Sequence, residues 1–280
     1  MKFEHTQVWG FVHALRGMRN PKESWGKSDS HWELADSDDP MPPNGGLEIS
    51  IGPNDMDLAL RLIRAGSVHR KFLRQIFVSV DITAPIFWWK EFDTYKIGTA
   101  ANSTSTMHKL ASTPITRQCF DLDDYHGELQ LIDPTSLDVR VDCFLEDLEQ
   151  LRQLYLQTND KQYWKELIRW LPCGWLQTRT VTMTYENLIA MCSKGQRRNH
   201  KLSEWHNAFI EWARTLPYAQ EFIFFDELPD DPEVVKMRVK QISKELSGYL
   251  KKNEATDGAL RLDLSELYKV LGIEEEAKCA

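Results

Sequence analysis

The cleanest alternation of apolar and polar positions runs through Gln75-Ile76-Phe77-Val78-Ser79-Val80-Asp81-Ile82. Ile76, Val78, Val80 and Ile82 fall on one side, and this period of two predicts a half-buried strand. Upstream, Leu58, Leu62 and Ala65 recur at helical spacing, with Leu60 and Ile63 broadening the face. Asn54 or Asp55 is the expected cap and Gly66 the expected stop. Downstream, Ala84-Pro85 opens a second helix, because proline suits the first helical position. Trp88, Trp89, Phe92 and Tyr95 give that helix an apolar side, with the two tryptophans and Phe92 read as core; Gly98 ends it. The small polar run Ala100 to Thr106 reads as a loop.

In the second half, Phe144, Leu148, Leu151 and Tyr155 form a helical stripe, and Tyr163 to Leu171 a further helix stopped by Pro172. Leu176 to Thr184, rich in Thr and Val, is a strand or the start of a buried helix. Tyr185 to Lys194 is helical and ends at Gly195, and Leu202, Trp205, Phe209 and Trp212 mark a helix that ends before Pro217. Asp231-Pro232 begins a long amphipathic helix with Val235, Val239, Ile242 and Leu246 inward, and a short helix around Leu264 to Leu271 follows. Residues 1–20 alternate loosely, as a strand and a turn. Residues 20–54 are loop-rich, with Pro40, Pro42, Pro43, Gly45-Gly46 and the acidic stretch Asp36-Ser37-Asp38-Asp39. The expected organisation is an N-terminal strand and excursion (1–54), a core (55–230) and a C-terminal helical extension (231–280).

Composition narrows the function. The net charge of −8 argues against a general nucleic-acid coating role, while leaving room for one local basic pocket. Ten tryptophans call for a large aromatic core, a subunit interface or a ring-stacking pocket. Five cysteines, with no Cys-x-x-Cys, fit a reducing compartment better than a disulfide framework. No apolar run approaches the ~18 residues of a membrane span, and Met1-Lys2-Phe3-Glu4-His5 lacks a signal-peptide core, so a cytoplasmic protein is expected. Phosphate-loop, dinucleotide-loop and Ser-His-Asp patterns are missing, and His69, His108 and His126 are too scattered to suggest a metal site.

The segment Ala84 to Leu110 resembles the signature region of the flavin-dependent thymidylate synthase (ThyX) family. There a strand leads into Ala-Pro-Ile-Phe, a helix, and the motif Arg-His-Arg-x-x-Ser-x-Asn-x-x-Ser-x-Arg. Here Ala84-Pro85-Ile86-Phe87 and the helix are in place, and the motif reads Thr94-Tyr95-Lys96-Ile97-Gly98-Thr99-Ala100-Ala101-Asn102-Ser103-Thr104-Ser105-Thr106. Lys96 keeps the second basic position, Thr99 replaces the Ser, and Asn102 and Ser105 align after one inserted residue. Further on, Leu171-Pro172 with Thr178-Arg179 resembles the family's Leu-Pro…Thr-Arg stretch, and Arg198 stands seven residues before Trp205 with His200 between them. Tyr185 and Asn187 occupy the places of a flavin-holding Asn and Arg, so that pair is not kept. The similarity spans roughly residues 56–215.

The resemblance implies a mixed α/β (α+β) fold, with an antiparallel or mixed sheet packed against helices. It implies FAD as cofactor, with NADPH and methylenetetrahydrofolate as co-substrates, a pyrimidine nucleotide such as dUMP as substrate, and a homotetramer. Tyr95, Lys96, Thr99, Asn187 and His200 would face the cofactor. Glu91, Asn102, Ser105 and Arg198 would face the nucleotide, with Arg198 polarising the base as the catalytic candidate. Glu91 replaces a Gln and Thr106 replaces an Arg, which removes a bidentate phosphate partner. Lys96 reads equally as a partner of the helix C-terminus or as a phosphate ligand. The Thr99 to Thr106 run reads as a plain polar loop or a ligand loop, and Lys194, Arg197, Arg198 and Lys201 as a solvated patch or a binding one. Two functions follow: a flavin-dependent, thymidylate synthase-like methyltransferase that methylates or reduces the base, or a non-catalytic nucleotide-binding or assembly protein on the same fold.

Overall fold

The structure is a computed structural model and describes residues 1–34, 47–130 and 135–229. The chain divides into two compact units, Met1–Asp226 and Glu227–Ala280. The acidic stretch 36–39, its neighbouring prolines and glycines, Cys279 and the helices expected after Asp231 lie outside the described residues.

The first unit is built on a four-stranded antiparallel sheet in the order β1 (Lys2–Trp9), β4 (Phe77–Pro85), β6 (Leu176–Thr184), β5 (Ala100–Ser103). The alternation read in the sequence sets its two faces. Val78, Val80, Ile82 and Ala84 are buried on one side and pair with Met183, Val181, Arg179 and Gln177. The other side carries hydroxyl pairs, Ser79 with Thr182 at 3.2 Å and Thr83 with Thr178 at 2.7 Å. A separate two-stranded ribbon pairs β2 (His31–Leu34) with β3 (Leu47–Ser50).

Helices cover the apolar face. They are α1 (Phe11–Arg19), α2 (Pro53–Arg64), α3 (Ile86–Phe92), α7 (Tyr185–Met191), a π-helical turn (Trp205–Ile210) that runs into α9 (Glu211–Arg214), and α10 (Ala219–Phe222); α8 (Lys194–Asn199), which follows α7 in the chain, buries none of its residues. The short α4 (Thr106–Lys109) follows β5. A smaller apolar cluster, Leu110, Ile115, Leu145, Leu148 and Leu167, joins α5 (Leu137–Thr158) and α6 (Lys161–Trp170). No helix among the described residues is long and apolar enough to cross a membrane.

Several expectations are corrected. After β1 the chain forms α1 rather than a turn alone, with Phe11, Ala14, Leu15 and Met18 buried. Residues 100–103 are the edge strand β5 and not a loop. The buried seam of α2 is Asp55, Ala59 and Ile63; Ala65 is exposed, and the cap comes from Asp29, whose carboxylate accepts the Asn54 and Asp55 amides at 2.9 and 3.1 Å. Proline 85 closes β4 instead of opening α3, and Gly195 lies inside α8 rather than ending α7. Phe144 is exposed, and Leu145, Leu148 and Arg152 form the buried side of α5.

On that side, Arg152 binds Glu149 through two bonds of 2.7 Å and donates to the Ala111 carbonyl at 2.8 Å. This ties the 111–115 segment to α5. The Arg152 bond outweighs burial, and the Ile115 amide and Gln153 assist, so the Glu149 carboxyl is held down at about 2. A carboxyl depressed on folding stabilises fully above its unfolded value near 4.5, and that contribution fades as pH falls toward 2. Glu149→Gln is therefore expected to lower the melting temperature at neutral pH and to lose part of the wild type's acid sensitivity. Parallel melting curves of the two proteins across that pH range check this.

Candidate functional site

The tryptophan pair of α3 fixes which side of that helix faces outward. Trp88, Trp89 and Phe92 have 0–1% exposure, and the Trp89 ring N–H donates to the Gln177 carbonyl at 2.9 Å. The opposite face therefore presents Phe87, Lys90 and Glu91, at i, i+3 and i+4. The amides of Ile86 and Phe87 donate to the Trp175 and Cys173 carbonyls, both at 3.0 Å, and fix the start of the helix.

Across from this face, α8 and the turn after it present Gln196, Asn199, His200, Lys201 and Leu202. Together with Phe87, Lys90 and Glu91 they enclose a cleft of about 520 Å³. The two sides are joined at the base, where the Gln196 side-chain amide donates to the Tyr95 hydroxyl. Burial, followed by the nearby Glu91 carboxylate, raises the Tyr95 phenol above its usual value, so it stays protonated and serves as a hydrogen-bonding group.

His200 is the most constrained side chain in the cleft. Its ring stacks on Trp205 with centroids 4.6 Å apart and planes at 10°. Its Nδ1 accepts the Leu202 amide at 3.1 Å, so the ring proton of this tautomer sits on Nε2, which faces Glu91 Oε1 at 3.5 Å. Its carbonyl bonds His206 Nε2 at 2.8 Å. Trp205 is itself anchored through its N–H to the Met191 carbonyl at 3.0 Å and lies 5.6 Å from Tyr95. The cleft thus offers two lysine ammoniums, one carboxylate, two carboxamides, one oriented imidazole N–H and the apolar Phe87 and Leu202. Such a lining suits a polar anion that also carries a flat ring.

Glu91 and His200 both line the cleft, and Tyr95 touches it through Gln196. The other predicted positions lie elsewhere within the chain. Arg198 is exposed on α8 and is not among the lining residues. Lys96 is exposed, and its carbonyl accepts the Thr99 hydroxyl at 2.8 Å. Asn102 is exposed on β5 opposite Thr180. Ser105 caps α4 by accepting the His108 amide at 3.2 Å. Asn187 completes a capping box with Thr184 and donates to the Ile97 carbonyl at 2.8 Å. Arg197 is neutralised by both oxygens of Asp226 at 2.7 Å, and Arg179 by Asp93 at 3.0 Å. Lys90, Gln196 and Asn199 were missed; the signal for Lys90 was its place opposite the buried tryptophans.

Among the described residues, Asp121, Asp124 and Glu204 bring carboxylate oxygens within 4.8 Å of one another. Burial and the neighbouring Glu204 push the Asp121 carboxyl up to about 6. This acidic trio was not foreseen, because Glu204 lies far along the chain from Asp121 and Asp124 and meets them only through the fold.

Two structures of ThyX from Helicobacter pylori, both in complex with FAD and dUMP, align with the chain. One gives a TM-score of 0.54 at 15% identity, over 82% of this chain and 100% of that one; the other gives 0.51 at 15%, over 79% and 95%. The chain has the ThyX fold. A UMP/dUMP methylase, PolB, from Streptomyces cacaoi aligns at 18% identity over 69% of this chain and 94% of that one, with a TM-score of 0.43. No family model and no curated protein matches the sequence. The ThyX fold here thus comes with a sequence far from that of its structural neighbours, as the altered Arg-His-Arg region already indicates.

Proposed function

We propose that the chain is a ThyX-like nucleotide protein that binds a pyrimidine nucleotide such as dUMP in the cleft between α3 and α8. The observation that carries this is the cleft itself: an oriented His200 N–H and two lysines beside an apolar wall, in a volume of about 520 Å³, on a fold whose solved examples hold dUMP. In this reading Lys201 and Lys90 neutralise the phosphate, Gln196 and Asn199 read the base edge, and His200 donates to a base carbonyl. Arg198 and Lys96 are exposed cations that a ligand or a second copy of the chain can reach.

FAD is a separate matter. Of the positions expected to face it, Thr99 donates to the Lys96 carbonyl and Asn187 bonds Thr184 and the Ile97 carbonyl, while His200 and Tyr95 lie at the cleft. Thr99 and Asn187, bonded in this way, do not fit FAD within one chain. The flavin-dependent methyltransferase, with NADPH and methylenetetrahydrofolate as co-substrates, requires those contacts to come from a neighbouring copy, as in the homotetramer the resemblance implies. The internal bonding of Thr99 and Asn187 supports the non-catalytic, nucleotide-binding alternative.

Calorimetric titration with dUMP, followed by FAD, tests both readings. Wild type is expected to bind dUMP, His200→Ala to bind about tenfold more weakly, and Lys201→Ala to show a similar loss. A loss confined to Lys96→Ala moves the phosphate to the turn after α3. No dUMP binding at millimolar concentration removes the nucleotide reading. FAD uptake with the spectrum of a bound flavin restores the enzyme.

A further inference from the structure

A second cavity, of about 290 Å³, lies between α1 and the segment leading into β2, and shares no lining residue with the cleft. Its wall brings together Arg16 and Arg19 of α1, the Trp25 and Trp32 rings, and His31. Three observations set it apart from ordinary surface. First, Trp25 and Trp32 are 38% and 51% exposed, so two large ring faces meet water where burial would be favourable. Second, the Arg16 guanidinium lies 5.3 Å from the Trp25 ring centroid, and no described carboxylate pairs with it. Third, Arg19 is buried, its Nε binds Asp55 at 2.6 Å, and its Nη2 has no partner among the described residues.

Part of the wall is held by hydrogen bonds before any ligand arrives. Asp55 accepts the Ser28 and Ser30 hydroxyls at 2.6 Å each, together with the Asp29 and Ser30 amides at 3.3 and 3.2 Å. The Trp25 ring N–H is held by Asn20 at 2.9 Å. A pre-organised wall of this kind lowers the ordering cost of binding.

We propose that this cavity is a binding site for a small planar aromatic anion, a single ring bearing a carboxylate or a phosphate. The ring lies against Trp25 and Trp32, and the anionic group meets Arg16; His31 lines the wall with its Nε2 3.8 Å from the Glu33 carboxylate. The pairing of exposed indoles with an unpaired guanidinium selects both parts of the ligand at once. The volume stands at the lower end of the roughly 300–1,000 Å³ typical of ligand pockets, which fits one ring and excludes a dinucleotide.

Equilibrium dialysis of the full chain with benzoate, phenyl phosphate, benzyl alcohol and inorganic phosphate tests this. Benzoate or phenyl phosphate is expected to bind saturably, and whichever is tighter identifies the anionic group. Benzyl alcohol and inorganic phosphate are expected to bind at least about tenfold more weakly, since each lacks one half of the recognised chemistry. R16Q and W32A, both at exposed positions, are each expected to lose about tenfold for the aromatic anion. Both variants keep wild-type melting curves and wild-type behaviour toward dUMP, which separates this cavity from the cleft. Equal binding of benzyl alcohol and benzoate, unchanged affinity in both variants, or no saturable binding overturns the proposal.

Discussion

Asp55→Asn is expected to lower the stability of the folded chain by about 3–5 kcal/mol, the cost of leaving one member of a buried ion pair unpaired. Asp55 has 0% exposure and Arg19 has 4%, and their 2.6 Å bond lies in the interior. Burial pushes the Asp55 carboxyl up, but the Ser28 and Ser30 hydroxyls and the Arg19 guanidinium outweigh it and hold the group below its ordinary range. The amide that replaces it keeps the shape, loses the charge, and offers a donor where five donors already converge. Arg19 is then a buried cation without a counter-charge. The double variant, Asp55→Asn with Arg19→Met, is expected to be more stable than the sum of the two single changes predicts, because removing both charges removes the desolvation problem. Urea unfolding of the four proteins measures this; a single variant within about 1 kcal/mol of wild type would mean that the pair contributes little.

Trp205→Ala is the second large effect, with an expected loss of about 3–5 kcal/mol. The ring has 0% exposure and packs against Trp88 at 5.4 Å, Phe209 at 5.1 Å and His200 at 4.6 Å. Its removal opens a hole that these rings cannot close together, because each is held by other contacts. Trp205→Phe keeps most of the volume but loses the N–H bond to Met191, so a smaller loss is expected. The two variants separate packing from orientation. If His200 is positioned by stacking, Trp205→Phe retains dUMP binding. If the indole N–H sets the ring's depth, affinity falls even though the protein folds. A wild-type melting curve for Trp205→Ala would contradict the packing account.

The parts of the fold that were legible are those where one local pattern decides the outcome. β4 followed from four apolar residues at a period of two, and α3 from the helical spacing of its tryptophans and Phe92, although Pro85 belongs to the strand before it. Helix α1 went unseen although Phe11, Ala14, Leu15 and Met18 recur at helical spacing. The cause is the abrupt start: Gly10 turns at φ 101°, where an added Cβ would lie 2.0 Å from the Gln75 carbonyl oxygen. β5 was unreadable because it is a short edge strand, exposed at all four positions, so neither period appears. Asp29, the true cap of α2, lies outside that helix and reaches it only through tertiary packing. In the site, Glu91 and His200 were picked out through the family resemblance. Lys90, Gln196 and Asn199 depend on how α3 and α8 face each other, and short-range patterning does not record that relation.

The π-helical turn at Trp205–Ile210 has a consequence for how such a protein diverges. A turn of this kind holds one residue more than ordinary winding needs, and it persists because the surrounding packing holds it. Losing a single amino acid there lets the backbone relax to regular winding. It also swings everything ahead of it by about 100° about the axis relative to α9. Trp205 would then leave its place behind the imidazole that lines the cleft, while the sheet behind them stayed as it is. One codon separates this arrangement from a descendant with the same architecture and an imidazole that has lost its stacking partner.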